Sequence, residues 1–227
     1  MQKQPLKPSA VPLLITLLII LMIIAGGAFL SKPYWQPYLT PKTETVPVVT
    51  NPTAHQTTPP IVNKDALFKG QQVLNALKAN DYGTLASIAS EKGIRFTLGS
   101  HIDTAQDLVL SADQIKNAAN GMKKYTWGIA DGSGAPIVMT ISEYFKAHVY
   151  DKDFITAPDI SDEKILGTGN TINNQKEVYP SGTIVEYHFP GFDPQYGGMD
   201  WESLRLVFEK KDSTWVLVGI IHDQWSI

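Results

Sequence analysis

The chain has no cysteine among its 227 residues, which excludes a disulfide framework, a thiolate zinc site, a cysteine nucleophile and a lipidated N-terminal cysteine. Stability must come from packing and hydrogen bonds. A basic excess is also missing: the formal charge of -3 gives no general attraction for phosphate backbones, so nucleic acid is not an expected partner. No Gly-x-Ser-x-Gly, Ser-x-x-Lys or His-Glu-x-x-His pattern occurs, which removes the extracytoplasmic hydrolases that carry local signatures. There is no internal repeat, and no motif asks for a cofactor.

Charge is absent from one further place. Val11 to Leu30, "VPLLITLLIILMIIAGGAFL", holds no charged side chain, and at about 1.5 Å per residue it is long enough to cross a hydrocarbon core of about 30 Å. Lys3 and Lys7 precede it without a nearby acid, so the tail is expected in the cytoplasm and the remainder outside. Tyr34, Trp35 and Tyr38 follow where amphipathic rings prefer the membrane interface. A cleavable signal peptide is the competing reading, given the small residues Ala25, Gly26, Gly27 and Ala28. From residue 31 to 63 the chain holds seven prolines and seven threonines, a composition that cannot offset chain entropy and reads as an extended tether of up to about 100 Å. The expected organisation is a cytoplasmic tail (1–10), a transmembrane anchor (11–30), a linker (31–63) and an extracytoplasmic domain (64–227).

Within that domain, "NKDALFKGQQVLNALKAND" predicts a helix capped by Asn63 and stopped at Asn80, with Leu67, Leu74 and Leu77 inward. Asp81 predicts a second cap, before the strand-like "EKGIRFTL". Ser111 with Gln114, and Thr140 with Glu143, have capping-box spacing. Asp131 to Gly134 separates two β-prone runs as hairpin turns do. "TIVEYHF", "SLRLVFE" and "TWVLVGIIHDQW" are strands by composition. A four-residue turn pairing Glu209 with Thr214 would set Phe208 and Leu206 opposite Trp215 and Leu217 on a core face. It would send Arg205, Val207, Val216, Val218, Ile220 and His222 to the other face, which is apolar enough to need a cover, such as a second copy of the chain.

Helices first, then strands ending in a long meander, is an α+β order. With the ending "TWVLVGIIHDQWSI", residues 63–227 resemble the NTF2-like (cystatin-like) cone superfamily. The ending "GIIHDQW" is similar to that of membrane-tethered Gram-positive bacterial proteins of no assigned activity. The resemblance implies N-terminal helices packed on a curved antiparallel sheet, and pairing of copies through the outer sheet face. It supplies no catalytic motif, because such folds host enzymes, transport factors and inert accessory domains alike.

Candidate chemistry is sparse. His222 and Asp223 are adjacent in a strand and point to opposite faces, so they do not form a dyad, and a partner for His222 must come from elsewhere, Glu186 being one choice. Glu186 and His188 share a face, and with His222 they have the donor set of a two-histidine, one-carboxylate metal site. The simpler reading is a sheet edge whose polar groups bond to loop backbone, and no metal is expected. His101 with Asp103 has the same spacing in a loop. "YDKDFITAPDISDE" is acidic at Asp151, Asp153, Asp159, Asp162 and Glu163, but Ile155 and Thr156 break the EF-hand pattern, leaving a solvated loop. "GTGNTINN" lacks the lysine of a phosphate loop.

The most informative stretch is "HFPGFDPQYGGMDW", residues 188–201, a connection longer than hairpins use and crowded with rings. Either it plugs the open end of the sheet, or it forms a pocket rim in which Phe192, Tyr196 and Trp201 offer a platform and Asp193 and Asp200 offer acceptors. The expected function is binding or accessory work in the cell envelope, with a ligand the residues do not identify. The alternative is a small-pocket enzyme using His222 or His188 as general acid or base, with Glu186 assisting.

Overall fold

A computed structural model describes residues 63 to 162 and 164 to 226. The predicted anchor and nearly all of the tether lie outside them. Helix α1 (Lys64–Ala79) begins where the Asn63 side chain accepts the Ala66 N–H at 3.0 Å, and ends at Asn80 in the left-handed region at φ 53°. Asn can occupy that region because its short amide tolerates it. Helix α2 (Tyr82–Ile88) is capped by Asp81. Strands β1 (Ile94–Leu98) and β2 (Leu108–Leu110) follow. Helix α3 (Ala112–Lys116) then starts with the Ser111/Gln114 capping box, and α4 (Ile141–His148) with the Thr140/Glu143 box. Between them lies the hairpin β3 (Tyr125–Ile129) and β4 (Pro136–Met139). Strand β5 (Asp159–Ser161) and helix α5 (Gln175–Val178) lead into β6 (Thr183–Phe189), β7 (Glu202–Lys211) and β8 (Thr214–Gln224).

Six strands form one sheet in the order β2-β1-β8-β7-β6-β5, and β3-β4 form another. The expected α+β cone with a curved antiparallel sheet is corrected here. Strand β1 runs parallel to β8, with Arg95 opposite Gly219 and Leu98 opposite His222, so the sheet is mixed and the fold is mixed α/β. Element order cannot reveal this, because a parallel pair between residues 94–98 and 219–222 leaves no local turn signal. The transmembrane helix of the same expectation lies outside the described residues. Among those described, no helix is long and apolar enough to cross a membrane.

One face of the sheet, the inner face, carries Val185, Tyr187, Leu204, Leu206, Phe208, Leu217 and Ile220 into a core shared with α1, α2, α4 and the hairpin. Trp127 of β3 stacks on Tyr144 of α4 at 3.7 Å between ring centres, which fastens the hairpin to the helix.

The β7–β8 register differs from the expected one twice. Lys211 faces Thr214, so the turn is the two residues Asp212 and Ser213, with Asp212 at φ 56°. Such a turn matches the twist of paired strands better than a four-residue one. Phe208 then faces Leu217 while Val207 faces Gly219, leaving Val218 as a bulge. One extra residue exchanges the faces of everything after it. Ile220 and His222 therefore point into the inner core rather than along the outer row.

The outer face is covered by the chain itself. Ile184, Val207 and Ile221 pack with Ile102 and Tyr179 as a second small cluster, and residues 166 and 167 are bonded to the sheet beside it. Gly167 lies so close to the strands that an added Cβ would stand 2.5 Å from both Ser203 Oγ and Trp201 Cζ3. Gly167→Ala should therefore destabilise by about 1–3 kcal/mol through overpacking. Gly83→Ala, whose Cβ would meet only Asp81 Oδ1 at 3.4 Å, should be neutral or slightly stabilising. Urea melts of the two variants check the pair, and equal midpoints would contradict the close approach.

Candidate functional site

Two polar clusters lie back to back at one end of the sheet, on opposite faces of β7 and β8. On the outer face, the Arg205 side chain is fully buried between two acids. Its Nη1 donates to Asp223 Oδ2 at 2.8 Å and its Nη2 to the Gly167 carbonyl at 2.6 Å. Its Nε stands 3.1 Å from Glu186 Oε1 as an ion pair, off the line of a hydrogen bond. Glu186 accepts the N–H groups of Leu166 at 2.6 Å and Gly167 at 3.0 Å. The Ser100 hydroxyl donates to Asp223. This is the polar sheet edge bonded to loop backbone that the simpler reading describes. His188 joins it through a 2.8 Å bond between Nδ1 and Ser203 Oγ and lies under Trp201.

On the inner face, the bulge delivers His222 to a different set. Its Nε2 is 3.0 Å from Asp151 Oδ1 and 3.8 Å from Glu202 Oε2. Lys152 Nζ bridges the other oxygens, Asp151 Oδ2 at 3.2 Å and Glu202 Oε1 at 2.9 Å. Side-chain exposure falls from 37% at Lys152 through 21% and 13% at the two acids to 3% at the imidazole. The lysine is thus the outermost member. Burial alone would raise the Asp151 carboxyl, but the hydrogen bond and charge of His222, with the charge of Lys152, hold it well below the usual carboxylate range. Glu202 moves the other way: its burial, aided by the nearby Asp151 carboxylate, outweighs Lys152 and raises it. Two acids pushed apart in this way are the ordinary signature of a functional cluster, although structural networks produce it too.

The structure separates the residues that the sequence grouped. Glu186 and His188 are on the outer face and His222 on the inner, so the three cannot share an ion. The partner of His222 is Asp151, not Glu186. Asp223 and His222 do point to opposite faces. His101 is exposed, and Asp103 accepts the N–H groups of Ala105 and Gln106 as a turn residue. Of the acidic stretch, Asp153 bonds to Lys78 and Tyr150, while Asp151 belongs to the cluster. Sequence reasoning missed Lys152 and Glu202 altogether. Glu202 falls two residues before Leu204, which faces His222, so a correct register would have exposed it.

Beside the cluster stands the long loop. Asp200 Oδ2 accepts the N–H groups of Phe192 at 3.0 Å and Asp193 at 2.8 Å, and Asp193 caps the 3₁₀ turn Pro194–Tyr196 through Gln195. Gly197 and Gly198 take positive φ after it. Trp201 is buried against Gly167 and His188. The acids and the tryptophan thus hold the loop, while Phe192, Tyr196 and Met199 remain 46%, 49% and 55% exposed. They do not plug the sheet. Lys152 Nζ sits 5.2 Å from the Phe192 ring centre, and a cleft of about 410 Å³ runs between Lys152, Phe192, Glu202, Gln224 and Trp225.

No protein-family model matches this chain, and no curated protein matches it.

Two outcomes follow from the geometry. Arg205→Met leaves Glu186 and Asp223 buried without their cation and should cost about 3–5 kcal/mol in denaturant unfolding; a loss under about 1 kcal/mol would contradict the buried pairing. Burial lowers the pKa of His188 despite the Glu186 carboxylate, and lowers that of His148 likewise. Below about pH 6.5 the unfolded chain takes up protons that these folded imidazoles refuse. Stability should therefore fall as pH drops from about 7 toward 5, and His188→Gln should flatten that slope in thermal melts. An unchanged slope would contradict it.

Proposed function

We propose that the protein is a membrane-anchored, extracytoplasmic binding or accessory domain of the cell envelope, whose contact surface is the loop from Pro190 to Trp201. The observation that carries the reading is the loop's construction. Three large apolar side chains are held outward on a backbone fixed by Asp193, Asp200 and Trp201. Apolar side chains gathered on one fixed loop in this way suit contact with a partner. Rigid aromatic anchors lose little side-chain entropy on binding, which suits a contact of this kind. Phe192 and Tyr196 are the ligand-facing members, with Lys152 and Glu202 at the rim. The uncharged stretch from Val11 to Leu30 supports the anchor, and the following tether supports reach away from the bilayer.

A photo-crosslinking residue placed at Tyr196 in intact cells should give a discrete adduct. The same residue at the exposed Phe68, on α1, should not. Equal adducts, or none from the loop, would count against the contact surface. Protease added outside intact cells should cut the folded domain from its anchor, and protection would contradict the topology.

A second copy remains a candidate partner on the outer face, but only where the chain does not cover it. That region is a groove of about 590 Å³ beside Val109, Val216 and Val218. The alternative reading, an enzyme with His222 as acid or base, is favoured by one observation, the 3.0 Å contact between His222 and Asp151. A carboxylate so placed orients an imidazole for proton transfer. His188 is less suited, being committed to Ser203.

A further inference from the structure

The geometry points to a binding site for one divalent transition-metal ion of the zinc type, held by His222 Nε2, Asp151 Oδ1 and Glu202 Oε2. Among the described residues, these three side chains are the group whose ligand atoms converge, all lying within 4.8 Å of one another. A tetrahedral site with metal–ligand bonds of about 2.1 Å has ligand atoms about 3.4 Å apart. The two separations from Nε2, 3.0 and 3.8 Å, bracket that value. Small rotations of the acids would equalise them without moving backbone.

The division of oxygens between partners supports the assignment. Lys152 takes Asp151 Oδ2 and Glu202 Oε1, the outward oxygen of each acid, and leaves Oδ1 and Oε2 turned toward the imidazole. Glu202 Oε2 is buried and has no hydrogen-bond partner. A buried acceptor of this kind is costly unless something electropositive reaches it. The facing oxygens of the two carboxylates also lie within 4.8 Å of each other. Two like charges at that range need a cation or a proton between them. Lys152 supplies one positive charge against two negative ones, so the cluster keeps a net negative charge that favours a bound cation.

The donor set selects the ion. One imidazole and two carboxylates suit zinc and its first-row neighbours, whereas calcium and magnesium prefer oxygen alone. Lys152 would remain on the outer oxygens and hold the carboxylates in orientation, as outer partners of metal ligands commonly do. Its ammonium, 5.2 Å from the Phe192 ring centre, also ties the site to the exposed loop. The site is independent of whether that loop binds a partner.

The experiment uses the full chain in detergent, stripped with a chelator and titrated with Zn²⁺ alone. One ion per chain should bind, with a rise in melting temperature that saturates at that stoichiometry. His222→Gln, Glu202→Gln and Asp151→Asn should each weaken binding by about tenfold or more. His101→Gln, away from the cluster, should not. Co²⁺ in place of Zn²⁺ should give visible absorption that His222→Gln abolishes. Asp151 lies in a surface loop, so Asp151→Asn should keep its circular dichroism even if a buried replacement unfolds, and it decides the matter alone if so. Absence of saturable binding, or binding that survives Asp151→Asn at full strength, would overturn the site.

Discussion

The single extra residue at Val218 is the constraint from which the rest of this end of the molecule follows. Before it, β8 presents Leu217 to the inner core opposite Phe208. After it, the alternation restarts one place out of step, and His222 rather than Asp223 enters the inner face. His222 meets Asp151 and Glu202, and Asp223 meets Arg205. Without the bulge each side chain would face the other's partners: an imidazole against a buried guanidinium, and a third carboxylate beside two others. Both juxtapositions are repulsive whenever the imidazole is charged or the acid ionised. The bulge and the two clusters therefore select one another.

The clusters do different work. The outer one is buried and almost fully bonded: every oxygen of Glu186 is occupied by loop backbone or by Arg205, whose Nε alone makes an ion pair without a hydrogen bond. Such a network adds little net stability over apolar packing, but it is severely destabilising to leave half-made. Its effect is to dictate where residues 166 and 167 lie, and with them the cover over Ile184, Val207 and Ile221. The inner cluster is graded from exposed lysine to buried imidazole and keeps unpartnered polar atoms. The outer cluster's ions are tied to loop backbone, whereas the inner cluster leaves Glu202 Oε2 and His222 Nδ1 without a hydrogen bond beside a partly exposed lysine.

Much of the local architecture was legible in the chain. Asn63, Asp81, Ser111 and Thr140 cap helices where their spacing to the following residues says they should, because capping is decided within four positions. The strands were legible from β-branched and aromatic runs. What was not legible depends on partners far away in sequence. The parallel pairing of β1 with β8, the bulge, and the meeting of Asp151 with His222 across 71 residues leave no periodic trace. The misplaced turn had a particular cause: Lys210 and Lys211 look like turn residues by charge, yet they continue the strand, and the left-handed Asp212 makes the turn. That two-residue shift leaves every side chain on its own face; it was the unforeseen bulge at Val218 that overturned the expectation of His222 beside Glu186 and His188. The connection from 188 to 201 was legible from composition as a long loop, although His188 and Phe189 still belong to β6; the bonds of Asp193 and Asp200 to the loop's own backbone depend on its folded path, which composition does not encode.

The register itself can be measured without interference, because the chain contains no cysteine. Paired with Glu202→Cys, a cysteine at Gln224 stands directly across the ladder, whereas a bulge-free β8 would put Asp223 there. Neighbouring Cα atoms across an antiparallel pair are about 4.5–5.5 Å apart, within disulfide reach. Under mild oxidation, Glu202→Cys with Gln224→Cys should close a disulfide and Glu202→Cys with Asp223→Cys should not. The opposite pattern would contradict the bulge, and with it the placement of His222 beside Asp151.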